Sequence, residues 1–288
     1  MAVRRLLATL GMLALPPVGL TIAFNRIVRR NLYYTDPYQP GVPEATGVPF
    51  EPVRFWTADG SELGGWLFQG GDLPVTVLFM HGTSYNASLY WDTEERAQLF
   101  GSFLRELGCR FFLFDYRGYG ANGGEATELN TYLDADAALA YLHNRKDIDA
   151  ARIVLYGFSL GSGVAVDLAW REPNAGLMLR APFTSVRDLV LERYPRMRPL
   201  LTLMPWLPTT RYNSAVKIRE LRVPLLLMHG DADETVPYWM GRRLYELAPE
   251  PKTFVPFPGG GHQEVPLEIM APAMRGFLEK IAATQIPR

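Results

Sequence analysis

The hydrophobic pattern from residue 51 onward predicts strands first. Residues 53–57 and 63–68 flank an Asp-Gly pair, which is a strong hairpin signal. Short continuous apolar runs follow, as expected of strands that are buried on both faces of a sheet. With the hairpin they predict an eight-stranded sheet, and these later runs are 75–80, 111–114, 153–158, 177–180, 223–228 and 253–256.

Amphipathic stretches separate these apolar runs and predict helices between the strands. They are 94–107, 129–144, a stretch beginning at Ser159, 239–247 and 266–284. Repeated strand–helix units indicate an α/β fold with a mostly parallel sheet and helices on both of its faces. Active sites in such sheets lie at the carboxyl ends of the strands, so the residues just after each strand are the ones to inspect.

The first fifty residues have a different pattern. Two arginines precede an uncharged apolar run over 6–24, and three more arginines follow it. The run approaches the ~20 residues that cross a bilayer core. We expect a single-pass membrane anchor over 1–30 and a linker over 31–50, without an assignment of the side of the membrane. A cleaved signal peptide, a twin-arginine export signal and a buried core helix stay open as alternatives.

The charge and the residue types of the chain bear on its partners and cofactors. The 288-residue chain has a net charge of −1, which gives no indication of a nucleic-acid partner. The single cysteine, Cys109, excludes an intrachain disulfide. His81 and His229 each precede a glycine at a strand end and are interpreted as structural. The scattered histidines, without a metal-binding motif, argue against a metal site, and no nucleotide-binding loop is present. No cofactor is therefore expected.

Three residue types that follow predicted strands suggest nucleophilic catalysis. Ser159 lies in a G-x-S-x-G sequence where a strand turns into a helix. A serine hydroxyl needs a neighbouring base, and His262 follows three glycines after the last strand. An acid must orient that histidine, and either Asp231 or Asp233 meets this requirement. Since strand ends meet at one edge, a serine–histidine–acid site is predicted there.

These residues, with the loop 114–120 and the segment 182–185 before a proline-rich insertion, resemble the α/β-hydrolase superfamily. The chain is similar in particular to the Bem46-like and ABHD13-like membrane-anchored serine hydrolases. The resemblance covers about residues 50–285. It implies an α/β-hydrolase domain over 51–288 behind an N-terminal transmembrane helix.

The resemblance also implies a role for each site residue. The family pattern H-G-x-x-D selects Asp233 and leaves Asp231 in a variable position. Some relatives use an acid after the strand at 177–180, and here that place holds none. The implied catalytic residues are Ser159, Asp233 and His262, and the implied oxyanion-hole donors are the backbone amides of Thr83 and Leu160.

The insertion at about 183–213 is apolar, aromatic and rich in proline, and it resembles the cap that shapes substrate access in this fold. The alternative is that it completes the core. We expect a serine hydrolase that cleaves carboxylic esters or thioesters of a hydrophobic small-molecule or lipid acyl substrate through an acyl-enzyme. A serine peptidase of the same fold and a non-catalytic membrane-anchored scaffold are the alternatives. Nothing in the sequence identifies a protein partner.

Overall fold

The structure, a computed structural model, describes residues 18–35, 43–84 and 86–284. Within these residues the apolar runs form an eight-stranded sheet of order β1-β2-β4-β3-β5-β6-β7-β8. β2 is antiparallel to both of its neighbours, and the remaining pairs are parallel. The predicted mostly parallel sheet is thus confirmed. The strands are β1 Phe50–Trp56, β2 Glu62–Phe68, β3 Thr76–Met80, β4 Arg110–Phe114, β5 Ile153–Phe158, β6 Gly176–Arg180, β7 Leu225–Gly230 and β8 Lys252–Phe257.

Helices cover both faces of the sheet, as predicted. Side chains of α2 and α9 pack together on one face, and those of α3, α4 and α8 pack on the other. The helix that precedes β1 is α1, described over 18–32. The others are α2 Glu94–Leu107, α3 Glu128–His143, α4 Leu160–Arg171, α5 Val186–Arg193, α6 Arg198–Leu203, α7 Ser214–Lys217, α8 Tyr238–Leu247 and α9 Leu267–Ala283.

Local signals explain where α2, which covers the site, begins and ends. The Thr93 hydroxyl accepts the N–H of Arg96, which satisfies one of the free donors of the first turn. Gly108 ends the helix with a φ of 63°, a conformation that favours glycine. The helix therefore has a fixed length and presents its buried aromatic side chains to the sheet.

The N-terminal helix α1 packs against the inserted segment. The Asn25 side-chain oxygen accepts the backbone N–H of Thr209 at 2.8 Å, and the hydroxyls of Tyr33 and Tyr212 are 2.9 Å apart. Phe24 and Val28 are buried in the same contact. Part of the region predicted as anchor and linker is thus attached to the domain.

The predicted membrane anchor lies largely outside the described residues, which begin at residue 18. Among residues 18–35, 43–84 and 86–284, no helix combines the length and the apolar composition needed to cross a bilayer. The anchor over 1–30 stays a prediction.

The insertion at 183–213 contributes to the core beside α4. A Cβ atom added to Gly163 of α4 would lie 2.8 Å from Tyr212 and 3.1 Å from Phe183, so the insertion packs tightly on that helix. Leu201 and Leu207 are also buried there. Part of its apolar composition is therefore used in packing against α4 and α1.

Candidate active site

Ser159 occupies a strained turn between β5 and α4. Its φ of 52° and ψ of −118° are unusual for a residue with a side chain. The turn has no space for side chains at its flanking glycines. A Cβ atom at Gly161 would lie 2.0 Å from the Met80 carbonyl oxygen, and one at Gly157 would lie 2.5 Å from the Gly161 oxygen. The G-x-S-x-G spacing thus holds the serine at the edge of the sheet.

The structure brings Ser159, His262 and Asp233 into one hydrogen-bonded chain. His262 Nδ1 lies 2.7 Å from Asp233 Oδ2, and His262 Nε2 lies 3.0 Å from Ser159 Oγ. A carboxylate only accepts, so Nδ1–H is the donor to Asp233. In the neutral imidazole, Nε2 is then free to accept the serine O–H. This is the tautomer that a general base next to a serine requires.

Asp233 is held in its charged form by several donors. Its Oδ1 accepts the backbone N–H groups of Thr235 and Val236, each at 2.8 Å, and its Oδ2 lies 3.4 Å from His229 Nε2. Burial by itself raises the pKa of Asp233, but the hydrogen-bond donors His229, His262 and Val236 lower it by more than burial raises it. The net pKa is well below the usual range of a carboxyl group.

Asp231 has a different hydrogen-bond partner from Asp233. Its Oδ1 accepts the N–H of Gly259 at 2.7 Å, so it joins the end of β7 to the loop that leads to His262. Of the two candidate acids, the structure brings Asp233 to the imidazole and Asp231 to the backbone. β7 itself extends to Gly230, two residues beyond the predicted strand end, because His229 and Gly230 continue the pairing with β8.

The two backbone amides expected as oxyanion donors lie in different elements. Leu160 is the first residue of α4, so its N–H belongs to the first turn, whose donors have no partner within the helix. Thr83 follows β3 and lines the same cavity as Ser159. The Tyr119 hydroxyl donates to the Thr83 carbonyl at 3.1 Å, and the Thr83 hydroxyl donates to the Leu32 carbonyl of α1.

A second histidine and aspartate lie below this loop. His81 Nε2 is 3.6 Å from Asp115 Oδ1, and both side chains are buried. His81 Nδ1 donates to the Gly82 carbonyl at 2.8 Å, and Asp115 accepts the N–H of Ala87 at 2.6 Å. Burial lowers the pKa of His81 to about 4 and raises the pKa of Asp115 to about 7. The pair fixes the loop backbone, in agreement with a structural His81.

A cavity of about 460 Å³ is lined by Ser159 and His262 and extends between the sheet and α2. Its walls are mainly apolar. The aromatic residues among them include Phe79, Tyr90, Phe100, Phe103, Phe111 and Tyr156. None of the described residues in 183–213 lines this cavity. The expectation that the insertion forms the substrate cap is therefore corrected: the 3-10 turn Ala87–Tyr90, α2 and the segment 263–270 form these walls.

Sequence reasoning missed Arg180, the last residue of β6, which lines the same cavity. The Ser159 N–H donates to the Arg180 carbonyl at 3.0 Å, so the two residues are neighbours at the sheet edge. The available signal was a charged residue that ends an otherwise apolar strand. Within the described ranges, no group of three or more histidine, cysteine or acidic side chains is arranged to hold a metal ion.

The chain resembles known proteins both in sequence and in fold. A model of the alpha/beta hydrolase family matches residues 77–272. The uncharacterized protein Rv2307c of Mycobacterium tuberculosis is 37% identical over 96% of both chains. The alpha/beta hydrolase domain-containing protein WAV2 of Arabidopsis thaliana is 30% identical over 94% of this chain and 93% of its own length. The solved structure of the Pyrococcus furiosus esterase Pf2001 superposes with a TM-score of 0.69 at 20% identity, covering 86% of this chain and 99% of that one.

Proposed function

The chain belongs to the alpha/beta hydrolase family, and we propose that it is a serine hydrolase that cleaves carboxylic esters or thioesters of hydrophobic acyl groups. The observation that carries this proposal is the chain of hydrogen bonds from Ser159 through His262 to Asp233, with heavy-atom distances of 3.0 and 2.7 Å. These distances match those expected of an activated nucleophile, its base and the group that orients the base.

Acylation begins when Ser159 Oγ attacks the substrate carbonyl carbon and His262 Nε2 takes the hydroxyl proton. The carbonyl oxygen becomes an oxyanion, which the N–H groups of Thr83 and Leu160 stabilise. Asp233 stabilises the imidazolium. When the tetrahedral intermediate collapses, the bond to the leaving group breaks and His262 gives its proton to the departing alcohol or thiol. The acyl group stays on Ser159.

Deacylation repeats these steps with water. His262 takes a proton from a water molecule, whose oxygen attacks the acyl carbon and forms a second oxyanion. Collapse breaks the bond to Ser159 Oγ, and His262 returns the proton to the serine. The products are a carboxylic acid and the free enzyme, and the sequence of steps needs no group from outside the chain except water.

The acyl preference follows from the cavity beside the serine. Its mainly apolar walls can bury an apolar acyl chain. Ser159 and His262 line the same cavity, so an acyl chain bound there has its carbonyl close to the nucleophile. This arrangement favours esters and thioesters of hydrophobic acyl groups.

Membrane attachment is part of the proposal. The uncharged run at 6–24 supports it, and so does the likeness to membrane-anchored members of the family. On α1, the side chains of Ile22 and Ile27 are 64% and 62% exposed, so exposed apolar surface is present on the described part of this helix. In a flotation assay with phospholipid vesicles, the full chain is expected to float and a chain that lacks residues 1–17 to stay at the bottom. A full chain that does not float would reject the anchor.

Labelling with a fluorophosphonate probe tests the proposed nucleophile. Wild type is expected to be labelled, and Ser159→Ala to lose both labelling and ester hydrolysis, with a fall in kcat/KM on the order of 10⁴–10⁶. His262→Ala should lower both steeply. Ser102→Ala, an exposed serine of α2, is the matched control and should be labelled like wild type. A folded wild type that is not labelled would contradict the proposal and favour a non-catalytic scaffold.

A further inference from the structure

Arg180 places a positive charge in the cavity that Ser159 and His262 also line. Its guanidinium lies 3.7 Å from the centre of the Phe158 ring, and that ring packs on the imidazole of His262 at 5.1 Å. Arg180 and Phe158 are partners in the register of β5 and β6. Both side chains line the cavity, so the cation shares it with Ser159.

This arginine has no anionic partner among the described residues. Its Nε is buried without a hydrogen bond, and its Nη1 has only a weak contact of 3.8 Å with the Met270 sulfur. Arg96, which lines the same cavity, is different because Asp92 pairs with it at 2.6 Å. A buried N–H group of a cation that lacks an acceptor is costly, so a partner supplied by the ligand is expected.

Two tyrosine hydroxyls add to this polar region. Tyr90 and Tyr156 line the cavity, and within the described ranges neither hydroxyl has a hydrogen-bond partner. Burial raises the pKa of both, while the nearby charge of Arg180 partly offsets this rise. Both hydroxyls are therefore protonated donors at neutral pH. A cationic group and two hydroxyls in an apolar cavity form a set of polar groups that can fix the orientation of a ligand.

We propose that the cavity selects esters or thioesters that carry a carboxylate, which pairs with Arg180 while the reacting carbonyl lies at Ser159. The inference rests on the proposed hydrolase function and adds a substrate class to it. Arginine is suited to this role because its planar fork donates two parallel hydrogen bonds to a carboxylate. The carboxylate belongs either to the acyl part of the ester or to its leaving group.

Two matched pairs of substrates test the proposal on wild type. On the acyl side, the 4-nitrophenyl monoester of glutaric acid is compared with 4-nitrophenyl 5-methylhexanoate, in which an isopropyl group replaces the carboxylate. On the leaving-group side, the butyrate ester of 4-hydroxybenzoate is compared with that of 4-hydroxyacetophenone. In one of the pairs, kcat/KM is expected to be about tenfold to a hundredfold higher for the anionic ester. Hydrolysis without an anionic preference in either pair would overturn the inference.

Variants of two arginines test whether Arg180 causes the preference for anionic esters. Arg180→Met is expected to lower the anionic-to-neutral ratio of kcat/KM by about tenfold or more, and Arg180→Lys to retain part of it. Arg96→Met is the control within the cavity, and its ratio should change less than about threefold because Asp92 already neutralises that charge. An Arg180→Met protein of wild-type melting temperature with an unchanged ratio would also overturn the inference.

The two proposals fail in different ways. If the wild type is not labelled by fluorophosphonate and hydrolyses no ester, the proposed hydrolase function itself fails. If it is labelled and hydrolyses neutral esters without an anionic preference, only the role of Arg180 fails. The comparison on wild type does not depend on whether any variant folds.

Discussion

Two histidine–aspartate pairs lie at the same edge of the sheet, and their surroundings give them opposite properties. His262 and Asp233 are 2.7 Å apart, and the imidazole is partly exposed and lines the cavity. His81 and Asp115 are 3.6 Å apart, with side chains only 3% and 2% exposed. Both pairs consist of the same residue types, so their surroundings decide which pair is suited to acid–base catalysis.

The difference arises from the donors that reach each carboxylate. Asp233 accepts two backbone N–H groups and faces two imidazoles, and its pKa is lowered although it is buried. For Asp115 burial dominates and its pKa rises to about 7, because the N–H of Ala87 offsets only part of the effect. The first pair is suited to stabilise an imidazolium. The second holds the loop that carries Thr83.

The largest expected effect separates Asp233 from its neighbour Asp231. Asp233→Asn keeps the shape but removes the charge that orients and stabilises His262, so kcat is expected to fall on the order of 10⁴-fold. Asp231→Asn retains the oxygen that accepts the Gly259 N–H and should change kcat by less than about threefold. Steady-state hydrolysis of a nitrophenyl ester measures both. Equal losses would show that the acid has been misassigned.

A second prediction concerns the pH dependence of stability. The pKa of Asp115 is about 7 in the folded state and about 3.9 in unfolded chains. The protonated acid thus favours folding below pH 4, and this contribution is lost as the pH rises towards 7. Asp115→Asn does not titrate. Relative to wild type, its free energy of unfolding should therefore rise between pH 4.5 and 8, by up to about 3 kcal/mol.

Urea unfolding at several pH values measures this difference, and Asp147→Asn is the matched comparison. The Arg145 guanidinium lowers the folded pKa of Asp147, so the contribution of this carboxyl group is present above pH 4 and is lost only at lower pH. The difference between Asp147→Asn and wild type should therefore stay flat between pH 4.5 and 8. A flat difference for Asp115→Asn as well would show that its carboxyl group is ionised throughout this range.

The fold was accessible from the sequence because its signals are local. Buried parallel strands read as continuous apolar runs, and the alternation with helical patterns specifies the layers. The placement of Ser159 is equally local, since the contacts of Gly157 and Gly161 with the backbone require glycine at fixed spacing. The choice of Asp233 over Asp231 required a family pattern, because the hydrogen bonds that lower the pKa of Asp233 come partly from N–H groups of the turn after β7.

The cavity could not be predicted, because its position depends on contacts between distant segments. The insertion has the composition of a cap, yet Phe183 and Tyr212 pack against Gly163 of α4, on the face of the sheet opposite to the aromatic residues that line the cavity. The unpaired charge of Arg180 could not be predicted for a similar reason. The lack of a carboxylate near a given arginine is a property of the packed structure, and no sequence pattern encodes it.

The smallest predicted effect concerns the support of the Thr83 loop from the side of α1. The Thr83 hydroxyl donates to the Leu32 carbonyl, while the His81–Asp115 pair holds the other side of the loop. Thr83→Val loses this one hydrogen bond, so the amide proposed to stabilise the oxyanion is less well positioned. We expect kcat to fall about threefold to tenfold with little change in KM. Thr83→Ser, which keeps the hydroxyl, is the control and should retain most of the activity. If both variants match wild type in kcat, the buried pair holds the loop without α1, and the N-terminal helix has no part in catalysis.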